Sequence, residues 1–578
     1  MRLFSLLGFL NSLASLLLVG FSLVSSIPGC PKLTELEALA KEAEESGSVF
    51  DIPFCFCDNA TTDASATTIT VSCMFSSNMS HLEMALESAH KAGRPVLSVH
   101  LSRFELPEDG FPDNFFKNYN VSLEKLEMIG CFHGQIVHFS DEAFAGSQNS
   151  LKIITIRDCA LQNVTNAIRS LKSLEYLTLR TIGHLEFQDG MFNGLSNLKH
   201  LDLAENNKNV IPSGTFKGLN QLETLILSPF NYFNSSVFEE INTVSSLKSL
   251  DISSNNIIDI PDNAMSALSA LEELNLAQNL LVNLTALAFT GLSSLKHLDL
   301  RVNFLRNIDG SAFGPLVKLE HLNLTGNYLG EESALDSRIF SSLSSVEKLG
   351  LRWNEFIALD NNTFKNMKKL KYLDLATNKK LSKIEPDAFN GLDSITYLNL
   401  SESGLTKIDN NIFKPLENLR ILDIGKSAIS NISANSFSST ASLTELYMQN
   451  STYITLPGGI FDNLYQLQIL DLSRNPWMCD EELKPLVQYL QTTFYSAAEA
   501  GTEFYLLDVN NTVCYWPKDL RGQDIVSLDT ESLTDYEYEL PTTTPPEVTT
   551  LLNITSNDFF LPPNDNTVNN IDYSNDYW

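Results

Sequence analysis

The pattern Leu-x-x-Leu-x-Leu-x-x-Asn recurs along most of this 578-residue chain. It begins at Leu198, Leu247, Leu271, Leu295, Leu319, Val346, Leu370 and Leu467, and puts Asn206, Asn255, Asn279, Asn303, Asn327, Asn354, Asn378 and Asn475 in ninth place. Copies with another ninth residue begin at Leu123, Leu151, Leu174, Leu222, Ile395, Leu419 and Leu443. Most starts are 24 residues apart, and Val96 opens a degraded copy ahead of the others. A unit this short cannot bury its apolar side alone. It must stack on its neighbours, so the chain cannot be a set of separate globules.

The fold class this predicts is α/β, a leucine-rich repeat solenoid of about 15–16 repeats over residues 96–475. Each unit supplies one short strand, and neighbouring strands stack at about 4.8 Å. The leucines point inward. The ninth-place Asn can bond its amide to otherwise unpaired backbone in the turn, forming a ladder along the solenoid. Eighteen residues after many starts comes Phe192, Phe216, Phe289, Phe313, Phe364, Phe413, Phe437 or Phe461, predicted to form a buried spine on the convex side. Extra residues at 327–345 and an irregular stretch at 228–240 read as loops. A solenoid exposes an apolar face at each end, so caps are expected at 27–95 and 476–527. Helical patterns run over 33–43 and 82–92, the second opened by Ser80 and Glu83 at capping-box spacing.

Cys131 and Cys159 are each the ninth residue of a repeat and lie 28 residues apart. They should stack on adjacent coils at about 5 Å, within the Cα range of a disulfide. The alternative is two buried thiols in place of Asn. The N-terminal cap holds Cys30, Cys55, Cys57 and Cys73, which permit three pairings. A Cys-x-Cys pair does not easily bridge itself, and Cys30–Cys57 with Cys55–Cys73 is the pairing expected.

Arg2, an apolar run from Leu3 to Val24, and then Ser25 and Ser26 read as a secretory signal peptide over 1–26. No later stretch supplies the ~18 consecutive apolar residues of a membrane helix. Asn59, Asn78, Asn120, Asn163, Asn234, Asn283, Asn323, Asn361, Asn399, Asn431, Asn450, Asn510 and Asn553 stand in N-x-[ST] sequons, which suits a secreted, extracellular glycoprotein. The net charge of −31 excludes sequence-independent binding to nucleic acid or anionic membrane and leaves basic proteins or cations as partners. After Arg521 there are 11 acids and no Lys or Arg. Residues 528–578 read as a disordered acidic tail rich in Thr, Pro and Tyr. Thr542-Thr543-Thr544-Pro545-Pro546 invites O-glycans. Tyr536, Tyr538, Tyr573 and Tyr577 sit beside acids, the setting for tyrosine sulfation.

No catalytic signature is present: no His-Glu-x-x-His, no phosphate-binding P-loop, no Gly-x-Ser-x-Gly, and no Cys left over as a nucleophile. The expectation is a protein that is not an enzyme and needs no cofactor or metal. Function then falls to the concave face. Third-place residues there include Tyr176, His200, His297, His321, Tyr372 and Tyr397. Fifth-place residues are Asp202, Asp251, Asn275, Asp299, Asn323, Asp374, Asn399, Asp423 and Asp471. Exposed aromatics at the centre of a face typify protein contacts. A line of acids would draw a basic ligand or calcium, or else support the turns. The candidate partner-binding residues are Tyr176, His200, Asp202, Asp251, His297, Asp299, His321, Tyr372 and Tyr397. Sugars on concave Asn323 and Asn399, and on Asn450 at the edge, would cover residues 320–450 and move a partner to about 150–305.

Asn475-Pro476-Trp477-Met478-Cys479-Asp480 and Cys514-Tyr515-Trp516-Pro517-Lys518-Asp519-Leu520-Arg521-Gly522 resemble the C-terminal cap of extracellular leucine-rich repeat proteins. That cap usually carries Cys-Asp-Cys and four cysteines. Here Glu481 replaces the second, so the resemblance implies one bridge, Cys479–Cys514. Ile52-Pro53-Phe54-Cys55-Phe56-Cys57, the later Cys73, the helix at Leu82, residues 96–111 and the cysteine-marked first repeats resemble arthropod relatives of the non-catalytic subunit of decapod shrimp luciferase (oplophorus-luciferin 2-monooxygenase). This implies a secreted, protein-associating glycoprotein that accompanies a separate catalytic chain. Two functions follow. One is a protein–protein interaction scaffold in extracellular matrix, cell adhesion or immune recognition. The other is a stabilising subunit of a secreted enzyme complex, such as a luciferase-type oxygenase, with a catalytic partner chain.

Overall fold

The computed structural model describes Cys30, residues 55–59 and 68–74, and residues 78–534 apart from 132–135, 162, 184, 209, 332, 410 and 502. The signal peptide, the 33–43 helix, Asn553 and the four candidate sulfotyrosines lie outside the described residues. One sheet of 19 strands runs the length of the molecule. It starts with β1 (Cys55–Asn59) and β2 (Ile69–Met74), which are antiparallel. From β2 through β3 (Val96–Ser102), each strand then pairs in parallel with the one before it, in chain order. Sixteen strands from Val96–Ser102 to Ile469–Asp471 make the coils of a leucine-rich repeat solenoid. The register follows the repeat: His297 stands opposite His321, and Leu298 opposite Leu322.

Inward leucines leave almost no surface: Leu276, Leu281, Leu300 and Leu324 are fully buried, in one core that runs from Cys30 to Leu533. The Asn ladder closes the turns. Asn279 Nδ2 donates to the carbonyls of Ile252 on the preceding coil (3.0 Å) and Leu276 on its own (3.1 Å). Its Oδ1 accepts from the Ile257 N–H (3.2 Å). The same three bonds recur at Asn303 and Asn327. In the coil that starts at Leu222 the slot is filled by Asn231, one residue later than the count places it; it bonds the carbonyls of Leu203 (2.9 Å) and Leu227 (2.8 Å). Ser403, Ser427 and Ser451 carry the ladder with shorter side chains until Asn475 resumes it.

The convex spine stacks ring on ring: Phe289–Phe313 at 5.8 Å, Phe413–Phe437 at 6.0 Å and Phe437–Phe461 at 6.4 Å. Phe340 and Phe389 also join it, against Phe364. An eighteen-residue count overlooks both, because their repeats carry extra residues.

Four disulfides fasten the ends and one inner rung: Cys30–Cys57, Cys55–Cys73, Cys131–Cys159 and Cys479–Cys514. Cys131 and Cys159, 4.8 Å apart at Cα, cross-link adjacent coils where Asn would otherwise stand. The cap helix α1 spans Met79–Lys91, and its N-cap stands two residues before Ser80, the N-cap predicted from sequence. Asn78 is its N-cap: Asn78 Oδ1 accepts from the His81 N–H, and His81 Nδ1 accepts from the Asn78 N–H. An imidazole nitrogen thus does what Glu does in the usual box.

At the other end α2 (Lys484–Ala500) closes the core. Gln491 Nε2 donates to the carbonyls of Val526 and Leu528, at 2.9 Å each, and Leu528 and Leu533 are buried. Residues 528–534, assigned to the tail on composition, are therefore ordered. Two leucines are enough to pull them onto the cap.

Tyr453 occupies a slot that most repeats fill with Leu or Ile. It is fully buried and stacks on Trp477 at 6.5 Å, and its hydroxyl has no hydrogen-bond partner. Burial pushes its pKa up. Tyr453→Phe keeps the ring and removes the stranded hydroxyl. It should stabilise the protein by about 1 kcal/mol, seen as a higher urea midpoint at unchanged slope.

Candidate protein-interaction face

Parallel in-register strands put equivalent residues of successive repeats side by side, so the concave face is a set of columns. In the third-place column three aromatic pairs meet across neighbouring coils. Tyr176 and His200 lie 5.8 Å apart between centroids, His297 and His321 stack at 4.5 Å, and Tyr372 and Tyr397 stack at 4.3 Å. Tyr176 is 45% exposed, and the other five are half-buried. Burial lowers the pKa of His200. His321 is lowered first by burial and then by the neighbouring His297 and Lys348. Both rings therefore favour the neutral, more apolar form.

The fifth-place column serves the fold. Asp202 Oδ1 accepts from the Ala204 N–H (3.0 Å), Asp251 from Ser253 (2.9 Å), and Asp299 from Arg301 (2.9 Å). Asn275, Asn323, Asp374, Asn399, Asp423 and Asp471 make the same bond two residues on. Each side chain caps the turn that leaves its strand. Burial raises the pKa of Asp299, Asp374 and Asp423. Among the described residues no group of three or more His, Cys, Asp or Glu is arranged to hold a metal ion.

Asn323 is buried. Asn399 is half-buried, and its Nδ2 donates to Tyr397 Oη (3.3 Å). The centre of the face thus offers little free amide for the sugar cover expected over 320–450. Asn78, Asn120, Asn163, Asn234, Asn283, Asn361, Asn431, Asn450 and Asn510 are exposed.

A third column was not anticipated. Second-place residues alternate in sign over many repeats: Glu124, Lys152, Glu175, Lys199, Glu223, Lys248, Glu272, Lys296 and Glu320, then Glu347 and Lys371. Lys199 pairs with Glu175 (2.8 Å), Lys248 with Glu223 (2.9 Å), Lys296 with Glu272 (2.7 Å) and Lys371 with Glu347 (2.7 Å). The alternation is visible in the sequence once repeats are aligned. Exposed pairs of this kind contribute only about 0.2–1 kcal/mol each. Together they neutralise one rim of the concave sheet and leave the aromatic column as its distinctive surface.

A leucine rich repeat family model matches residues 185–232, 241–281, 271–329, 344–405 and 396–454. A curated relative, receptor-like protein EIX1 of Solanum lycopersicum, is 36% identical over 100 residues, which are 17% of this chain and 10% of that one. The chain thus spans about a tenth of that relative's length. Among solved structures, the TLR13–ssRNA13 complex aligns with a TM-score of 0.61 at 22% identity, covering 77% of this chain and 66% of the other, just under two thirds of its length. The glycosylated Toll–Spatzle complex of Drosophila aligns at 0.58 and 17% identity, covering 83% of this chain and 76% of the other. At these identities the likeness is one of fold. No helix among the described residues is long and apolar enough to cross a membrane. Repeat, register and Asn ladder, with the family model over part of the chain, together identify the fold as a leucine-rich repeat solenoid.

Proposed function

We propose that this protein is a secreted scaffold for protein recognition, acting in extracellular matrix, adhesion or immune recognition, with binding as its mechanism. The observation that carries this is the third-place column: three stacked aromatic pairs, partly exposed beside a charge-paired second-place column. Such rings bury large area at little entropic cost and dominate protein interfaces. The resemblance to Toll-type folds supports a recognition role. The neighbour TLR13 is solved with ssRNA, but a net charge of −31 disfavours a phosphate backbone here. Capping bonds occupy one oxygen of Asp202, Asp251 and Asp299, so in this reading the acids orient the face and the rings supply the affinity.

The test is capture from native extracellular fluid with the full-length protein and with a His297→Ser/His321→Ser/Tyr372→Ser variant. A receptor or matrix protein should be retained stoichiometrically by the first and at least tenfold more weakly by the second (about 1.4 kcal/mol or more). Equal retention by both would remove the concave face from the reading. A stoichiometric catalytic chain in its place would establish the enzyme-subunit role instead.

A further inference from the structure

The eighth place of nearly every repeat, where the chain leaves the concave strand, is left-handed: Ser254 (φ 51°), Gln278 (55°), Val302 (54°), Gly326 (69°), Trp353 (54°), Thr377 (59°), Glu402 (56°), Lys426 (54°) and Arg474 (58°); in the coil that starts at Leu222, where the count slips by one, the left-handed residue is Phe230 (59°). Left-handed backbone disfavours β-branched and bulky side chains. Most repeats answer with a small or polar residue. Val302 and Trp353 do not, nor does Phe230 of the slipped coil, and Val302 and Trp353 are also 47% and 53% exposed. Neither the backbone nor the core asks for them, so folding gives no reason for their presence.

They are not isolated. Phe304, 42% exposed, stacks on Tyr328 at 5.9 Å beside them. Gly326 lies between the two coils, so Val302 and Trp353 flank a notch with no side chain. The Arg352 guanidinium lies 5.5 Å over the Trp353 ring, with no carboxylate at ion-pair distance among the described residues. The patch therefore asks for apolar side chains accompanied by a carboxylate.

The chain itself carries such a segment, Asp558-Phe559-Phe560-Leu561, in a stretch without a single Lys or Arg. The described structure ends at residue 534, against the C-terminal cap. From the last coil back to the coils of Trp353 and Val302 is five to seven strand spacings, about 24–34 Å. The 23 residues 535–557 can reach about 80 Å.

We propose that Asp558-Phe559-Phe560-Leu561 docks in cis on the patch formed by Val302, Phe304, Tyr328 and Trp353, with Asp558 paired to Arg352. The acidic tail then acts as a cover for this edge of the solenoid, held by an effective concentration that a free ligand would lack.

The test places a benzophenone photo-crosslinker at Phe560 in the full-length chain. Illumination should join it within one molecule to peptides around 302–304, 328 and 353. Val302→Asn with Trp353→Asn should cut that yield at least tenfold. Because Asn suits left-handed backbone, the same pair should raise the melting temperature, which separates loss of docking from misfolding. Intermolecular products, scattered products, or a yield unchanged by the Asn pair would overturn the proposal. So would no cross-link in the purified chain together with loss of a captured partner in the Asn pair. That result would assign the patch to the partner.

Discussion

Asn378→Leu should destabilise the solenoid by about 3 kcal/mol or more. Asn378 is fully buried; its Oδ1 accepts from the Asn354 N–H (2.7 Å), and its Nδ2 donates to the carbonyls of Leu375 (2.6 Å) and Leu351 (3.1 Å). Leu has nearly the same volume and fits the apolar surroundings, but it strands the Asn354 N–H and the Leu375 carbonyl where water cannot reach, and leaves the Leu351 carbonyl only its bond from Asn354 Nδ2 (3.0 Å). Each stranded group costs about 1–3 kcal/mol. Asn378→Ser should cost less, since Ser427 Oγ already accepts from the Ser403 N–H (3.1 Å) in the same column. Urea unfolding followed by circular dichroism reads both. Because each coil contacts only its neighbours, Leu should also broaden the transition as the two flanks uncouple. A Leu variant as stable as the parent would mean that the ladder is incidental to the fold.

What the sequence disclosed and what it hid follow from the same periodicity. Any residue that the repeat places at a fixed offset was legible: the inward leucines, the ninth-place Asn, the Cys131–Cys159 rung. Single-residue slips defeated the counting, which is why Asn231 and Phe389 came to light only in three dimensions. The cap helix began earlier than its Ser80 signal because a histidine, outside the usual box, closes the cap. The fifth-place acids were harder. An Asp that faces a partner and an Asp that caps its own turn have the same letter and the same spacing, and only the bond to the residue two places on tells them apart. The candidate site was least legible of all, since a curved open surface has no cleft in which chemistry must converge. The aromatic column could be listed, but its pairing into stacks needed the register. The strain at Val302 and Trp353 needed a backbone angle that no composition reveals.

Removal of the C-terminal bridge, by Cys479→Ser with Cys514→Ser, should have the largest effect on integrity. The bridge closes a 35-residue separation, and losing such a constraint costs roughly 4 kcal/mol in the chain-entropy account. That loss falls on the cap alone. The short strand Tyr505–Leu506, which pairs with Ile469–Asp471 and covers the edge of the long sheet, lies inside the same loop, as does α2. When the loop opens, Leu470 and Leu472 face water beside an unpaired strand edge, a template for association. Hydrogen exchange should show protection lost over roughly 443–534 and preserved over the first coils, with concentration-dependent aggregation on warming. The inner rung offers the comparison. Cys131–Cys159 closes a similar separation of 28 residues, but coils on both sides hold its ends together. Replacing it should lower protection locally and bring no aggregation on warming. If both double variants lost protection evenly along the whole chain, stability would not be a sum of neighbouring-coil contacts, and the cap could not be what keeps the last strand from pairing with another molecule.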